Sequence, residues 1–231
     1  MPTASELMEM YRLLLDRLGP QHWWPAESAI EVLVGAILTQ NTNWKNVEKA
    51  IRQLSSSGLL SLRTIYEARL PELAEVIKPA GYYNVKAKRL KNLVSHLVEG
   101  YEADLESFFS QKTSKLREEL LSIKGIGPET ADSILLYAGG HPVFVVDAYT
   151  FRILSRHGLC DETTTYQDLQ ELFMDHLPGE ADLFNEFHAL IVHTAKQFCT
   201  KRPACEDCPL ANWGRTRPKV EAPLYENAPS L

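Results

Sequence analysis

Apolar residues recur at helical spacing along almost the whole chain, and the alternation expected of half-buried strands is missing. Ser28 and Glu31 stand at capping-box spacing before "AIEVLVGAIL" (29–38), which is apolar on every side and therefore predicts a buried helix. "NWKNVEKAIRQL" puts Trp44, Val47, Ile51 and Leu54 on one face, and "SSSG" (55–58) ends it. Pro71 predicts the start of a short helix after Leu70. "GYYN" (81–84) reads as a turn, with Asn84 capping a helix that carries Ala87, Leu90, Val94 and Leu97. "TSKLREELLSI" is amphipathic with Thr113 as its cap, and "PETADSILLYA" opens on Pro128 as a helix. "VFVV" (143–146) has strand composition, but it leads straight into Asp147 and a helix through His157, so it reads as a buried connection. Helices are expected over 165–177 and 181–199, and residues 214–231, with three prolines, as a loose tail. The pattern defines an all-α protein of about ten helices.

Composition narrows the class. At 231 residues the chain can bury a substantial core, and 45% hydrophobic with 23% charged residues is ordinary for a globular protein. No apolar run reaches the roughly 18 residues of a membrane span, and the acidic N-terminus lacks signal-peptide anatomy, so a cytoplasmic address with no membrane partner is expected. A net charge of −6 argues against a protein that coats nucleic acid, but not against one whose basic residues are grouped. Lys86, Lys88, Arg89 and Lys91 form one such group; Arg215, Arg217 and Lys219 form another. Three of the four cysteines crowd into "CTKRPACEDC", spacing that suggests metal rather than disulfides in a cytosolic chain.

"LLSIKGIGPETA" (120–131) carries the first chemistry. Gly125 and Gly127 are expected to take backbone angles closed to other residues, allowing a tight turn between two helices. Their N–H groups and the first turn of the next helix, Thr130 included, then form an anion site, with Lys124 adding charge. A G-x-G alone is also compatible with a plain interhelical turn. Set between helices, with Pro128 at the first helical position, it is the pattern of a helix-hairpin-helix that grips a DNA backbone without reading sequence.

With that motif in place, "LTQNT", "AGYYNVKAKRL", "KGIGPETA", "VVDAYTFRI" and the C-terminal cysteines occur in order over residues 23–210, and the chain resembles the helix-hairpin-helix DNA glycosylases of the endonuclease III superfamily. "HWWP" and "GAILTQNTNW" are most similar to the 3-methyladenine DNA glycosylase III branch. The resemblance implies two helical domains with a cleft between them: residues 26–137 as a six-helix barrel ending in the hairpin, and residues 1–25 with 138–213 as the second. It implies duplex DNA with a damaged base as the partner of a monomeric enzyme, the base being flipped into the cleft. Asp147 takes the position of the family's catalytic carboxylate, which suits a bond cleavage that builds positive charge on the sugar; its residue type also suits a plain helix N-cap. Bifunctional relatives carry a nucleophilic lysine where this chain has Glu129, and a carboxylate cannot form an imine. Trp23, Trp24 and Trp44 are implied at the flipped base, where indoles would stack on a cationic purine. Gln40 and Tyr82 match positions that enter the gap the base leaves.

Cys199, Cys205 and Cys208 resemble the family's iron–sulfur loop, but the fourth cysteine would fall at Gly214, and Cys160 is remote. Three readings stand: a [4Fe–4S] cluster with incomplete cysteine ligation, no metal, or zinc with a histidine such as His193. The expected function is hydrolytic release of alkylated bases by a monofunctional DNA glycosylase. The alternatives are a glycosylase for oxidised pyrimidines or mismatched thymine, a non-catalytic helix-hairpin-helix DNA-binding protein, and a redox protein built on Cys205 and Cys208.

Overall fold

The structure, a computed structural model, describes residues 2–214; the basic group at Arg215, Arg217 and Lys219 and all but the first residue of the expected tail lie outside them. In chain order the α-helices are α1 (Ala4–Leu18), α2 (Ala29–Leu38), α3 (Trp44–Ser56), α4 (Leu62–Glu67), α5 (Leu70–Val76) and α6 (Tyr83–Tyr101). Then come α7 (Leu105–Phe109), α8 (Thr113–Ser122), α9 (Pro128–Ser133), α10 (Ala148–Arg156), α11 (Tyr166–Met174) and α12 (Ala181–Gln197). No strand occurs among the described residues, and no described helix is long and apolar enough to cross a membrane. The fold is all-α.

Two compact units divide the chain. One is Trp24–His141; the other joins the segment through Trp23 to the chain from Pro142 onward. In the first, α2 is buried from Val32 to Leu38, as an all-apolar helix must be. The long α6 packs on α4 and α5 through Ala87, Leu90, Leu93, Val94 and Leu97. In the second, α12 packs on both α1 and α10. Phe144 stacks on Phe173 at 3.9 Å and meets Phe184 and Phe187 edge-on. Residues 143–146 are buried without being a strand. Side chains of α11 meet their backbone groups instead: Gln170 Nε2 donates to the Phe144 carbonyl at 2.8 Å, and the Val146 N–H donates to the Tyr166 hydroxyl at 3.4 Å.

Three helix starts differ from expectation. The cap of α6 is Tyr82, held at φ +45°, and Asn84 lies inside the first turn. Thr113 opens α8 rather than capping it, because its hydroxyl bonds Nδ1 of His141 at 2.9 Å. Ser28 caps α2 as expected, but Glu31 reaches back to the Glu27 N–H, so the box is not closed on Ser28. After the hairpin, α9 widens into a π-helical turn over Ile134–Ala138, a form concentrated at functional sites.

Candidate active site

Within the unit Trp24–His141, α8 and α9 are joined by residues 123–127. Ile123 and Ile126 are buried and linked by an Ile126 N–H to Ile123 carbonyl bond of 3.0 Å, which fixes the turn. Only one of the two glycines has the expected conformation. Gly125 sits at φ +99°, whereas Gly127 is extended at φ −97° and ψ 178°, a conformation open to any residue. Gly125 is also required by packing: a Cβ there would lie 2.4 Å from Cγ of Arg89. Lys124 is exposed and its carbonyl accepts from Asn92 Nδ2 at 2.8 Å.

Gln40 and Thr130 turn inward. Gln40 is buried, its amide donating to Thr130 Oγ1 at 3.0 Å and to the Gly125 carbonyl at 3.3 Å while its oxygen accepts from Arg89 Nη1. The loop after α2 is thereby tied to the hairpin. Tyr82, by contrast, is 72% exposed at the tip of its turn. The basic group on α6 is not a solvated face. Lys86 is buried, its Nζ donating at 2.8 Å to the carbonyls of both Leu38 and Ala80. Burial, with Arg89 nearby, pulls its pKa down to about 8. Lys91 donates to the carbonyls of Ile65, Tyr66 and Ala68, leaving Lys88 exposed.

Trp24 and Trp44 meet edge-on, ring centroids 5.3 Å apart, and Tyr137 of the π-turn closes on Trp24 at 5.2 Å. Trp23 belongs to the other unit. Gly35 makes room for this cluster: a Cβ there would lie 2.8 Å from Cζ2 of Trp24. Neither Gly35 nor Tyr137 was singled out from sequence. Gly35, a glycine inside an otherwise apolar helix, was the readable signal of a close approach.

In the other unit Asp147 caps α10 through a full capping box. Its Oδ1 accepts from the Thr150 N–H at 2.8 Å and the Thr150 hydroxyl at 3.0 Å. Oδ2 is left on the other side, 3.6 Å from Nε2 of His188 on α12. Burial works against the charge, but His188 and the Thr150 donors outweigh it and hold the carboxyl below its ordinary range. A buried carboxylate that stays ionised can stabilise a neighbouring cation. His188 gave no sequence signal, lying 41 residues from Asp147 in an amphipathic helix.

Cys199, Cys205 and Cys208 line one small pocket together with Arg156, His157 and Phe198. Arg156 is buried and donates to Cys199 Sγ at 3.0 Å. The pocket holds about 20 Å³, room for a single water, and the position of a fourth thiolate is Gly214. A cluster takes four thiolates, so the residues present do not make a complete cluster site. Nor do three His, Cys, Asp or Glu side chains converge on a single ion among the described residues. His193 is engaged with Gln21 and Gln197 and does not line the cysteine pocket, which removes it as a zinc ligand there. Cys160 donates to the Phe151 carbonyl, its thiol pushed up to about 12 by burial and Asp161. The loop is anchored by packing: Trp213 is buried and its Nε1 donates to the Glu6 carbonyl at 2.9 Å.

The hairpin between α8 and α9 and, 20 residues after Gly127, a buried aspartate at a helix start are the features in which the chain resembles a class of DNA base-excision enzymes. Residues 34–178 match the HhH-GPD superfamily base excision DNA repair protein family, and the chain belongs to it. It is a DNA glycosylase. A provisionally named DNA repair glycosylase of Methanocaldococcus jannaschii is 50% identical over 205 residues, 88% of this chain and 93% of that protein. An endonuclease III of Sulfolobus acidocaldarius is 30% identical over 182 residues, 78% of this chain and 79% of that one. Among solved structures, the H. pylori 3-methyladenine DNA glycosylase bound to 1,N6-ethenoadenine is 33% identical, with a TM-score of 0.73, covering 85% of this chain and 98% of that one.

Proposed function

We propose that this glycosylase is monofunctional and releases alkylated purines, 3-methyladenine foremost, from duplex DNA by hydrolysis. The observation that carries the reading is the state of Asp147: buried, capped on Oδ1, and held ionised with Oδ2 uncommitted to the cap. As the bond from C1′ to the base breaks, its electrons leave with the base and C1′ becomes cationic. Asp147 stabilises that charge and takes the proton of the attacking water. A methylated purine is already cationic and departs neutral, so little further protonation is needed. The aromatic group of Trp24, Trp44 and Tyr137 suits a flat cation. Resemblance to the H. pylori enzyme, named for 3-methyladenine, supports the same substrate class. Glu129 in place of an amine removes Schiff-base chemistry. The hairpin amides and Lys124 serve the phosphates, and Tyr82, exposed at its turn, serves the gap; Gln40 would have to release its bonds to Thr130, Gly125 and Arg89 to reach it.

Methylated duplex DNA incubated with the protein should release free 3-methyladenine, read by mass spectrometry, and leave an intact abasic strand. Borohydride should trap no covalent adduct, and Asp147→Asn should lower turnover by about a thousandfold or more while sparing DNA affinity. A trapped adduct would refute the monofunctional reading. The second reading, a pyrimidine glycosylase, is favoured by the 30% identity to an endonuclease III. Faster excision of thymine glycol or of thymine opposite guanine would decide for it.

A further inference from the structure

The two oxygens of Asp147 have different partners. Oδ1 is consumed by the helix cap, while Oδ2 lies 3.6 Å from His188 Nε2, and both side chains are buried. The helices that carry them, α10 and α12, pack directly on one another, so the pair is held by rigid elements on both sides. The Phe144 ring meets the imidazole edge-on at 6.5 Å, closing one side of it with apolar surface. Burying an imidazole against apolar surface costs free energy that a leucine in the same space would not.

We propose that His188 is a positioning residue of the glycosylase: its imidazole fixes Oδ2 and keeps the buried carboxylate ionised. The proposal rests on the reading of Asp147 given above. Thr150 can hold Oδ1 and the helix cap, but it leaves Oδ2 without a fixed direction. Several polar and charged groups on the surrounding elements have partners of their own. Arg152 of α10 donates to the Ala195 carbonyl. On α12, Glu186 accepts from the Gln21 N–H and His193 engages Gln21 and Gln197. Tyr166 of α11 accepts from the Val146 N–H. Without His188, burial would be opposed by the Thr150 donors alone, and the balance would move toward the protonated acid, which can neither stabilise a cation nor accept a proton from water.

Two variants separate its contributions. His188→Gln keeps a hydrogen-bond donor in place of the imidazole, and His188→Leu keeps none. The Asp147 carboxyl is titrated by carbon-13 NMR in the full chain, and single-turnover release of 3-methyladenine from methylated duplex is followed against pH. The carboxyl should titrate at higher pH in both variants, more so in the leucine variant, with about a tenfold change in acid constant there. The acid limb of the rate profile should move by the same distance, the rate recovering toward wild type above it. A loss that is equal at every pH, with the carboxyl titration unmoved, would reduce His188 to packing and overturn the proposal; so would an unchanged profile. If the leucine variant does not fold, the glutamine variant decides by the same two readings. Failure of the Asp147 reading is seen separately, as base release that survives Asp147→Asn.

Discussion

Gly125→Ala tests whether the hairpin is built as the structure implies. Two separate costs follow. An alanine at φ +99° is strained by roughly 1–2 kcal/mol. Its Cβ would also stand 2.4 Å from Arg89 Cγ and 3.0 Å from Cδ, so the guanidinium stem must move. Moving it breaks the Arg89 donation to Gln40, a charge-assisted bond worth about 1.5–3 kcal/mol. Together the loss is about 2.5–5 kcal/mol, or roughly 5–20 °C in thermal midpoint for a chain of this size. Gly127→Ala provides the control, because its extended backbone accepts alanine without strain. That variant should melt within about 2 °C of wild type.

Thermal melts followed by far-UV circular dichroism read the stability, and fluorescence anisotropy on an undamaged duplex at fixed salt reads the affinity. In an Arg89→Ala background, Gly125→Ala should cost only its backbone part, since the displaced stem is gone. Equal melting of the two glycine variants would refute the argument. So would an unchanged cost of Gly125→Ala when Arg89 is removed.

Gly35→Ala should force Trp24 aside, because the new Cβ would lie 2.8 Å from its ring. Tryptophan fluorescence should shift and base release should fall more than the thermal midpoint does; unchanged fluorescence would contradict the packing. Lys86→Met should destabilise by about 2–3 kcal/mol at pH 7 by leaving the Leu38 and Ala80 carbonyls without their donor. The wild-type advantage should widen between pH 8 and pH 10. There the folded lysine, titrating at about 8, has lost a proton that the unfolded chain keeps, so stability rises with pH by at most about 1.4 kcal/mol per unit. A constant difference between the two melts over that window would show that Lys86 titrates normally.

Periodicity was enough to place most helices, because each buries one face and the code for that is local. The hairpin was legible for the same reason: Gly125, Pro128 and the flanking helices lie within a dozen residues. Asp147 was legible twice over, as a cap and as a carboxylate in a recurrent motif. What escaped the reading depends on partners distant in sequence. Arg89 meets Gly125 across 36 residues, and His188 meets Asp147 across 41. Spacing cannot reveal either contact. The grouping of the basic run on α6 did not reveal that Lys86 is buried, because charge alone does not say whether carbonyls wait nearby, as those of Leu38 and Ala80 do. Gly127 was misread because a glycine in a turn motif need not use its freedom. Thr113 and Asn84 have the residue types of caps, but the hydroxyl of Thr113 is bonded to His141, and Asn84 stands two residues past the cap, inside the first turn.

The inward use of these side chains explains how an acidic chain can still present a DNA-gripping motif. Lys86 ties the end of α2 to the turn that precedes Tyr82, and Arg89 ties Gln40 to the hairpin side of the unit. Each tie fixes a loop whose ordering would otherwise cost entropy, and the Lys86 tie also takes its charge off the surface. A loop fixed in advance does not lose that entropy when DNA arrives. Fewer surface cations also mean fewer counterions released, and hence less affinity for undamaged DNA. Under the function proposed above, preorganised loops with modest surface charge would shift discrimination toward the proposed base pocket. On that reading Trp24, Trp44 and Tyr137 would carry more of the selectivity than the phosphate contacts do.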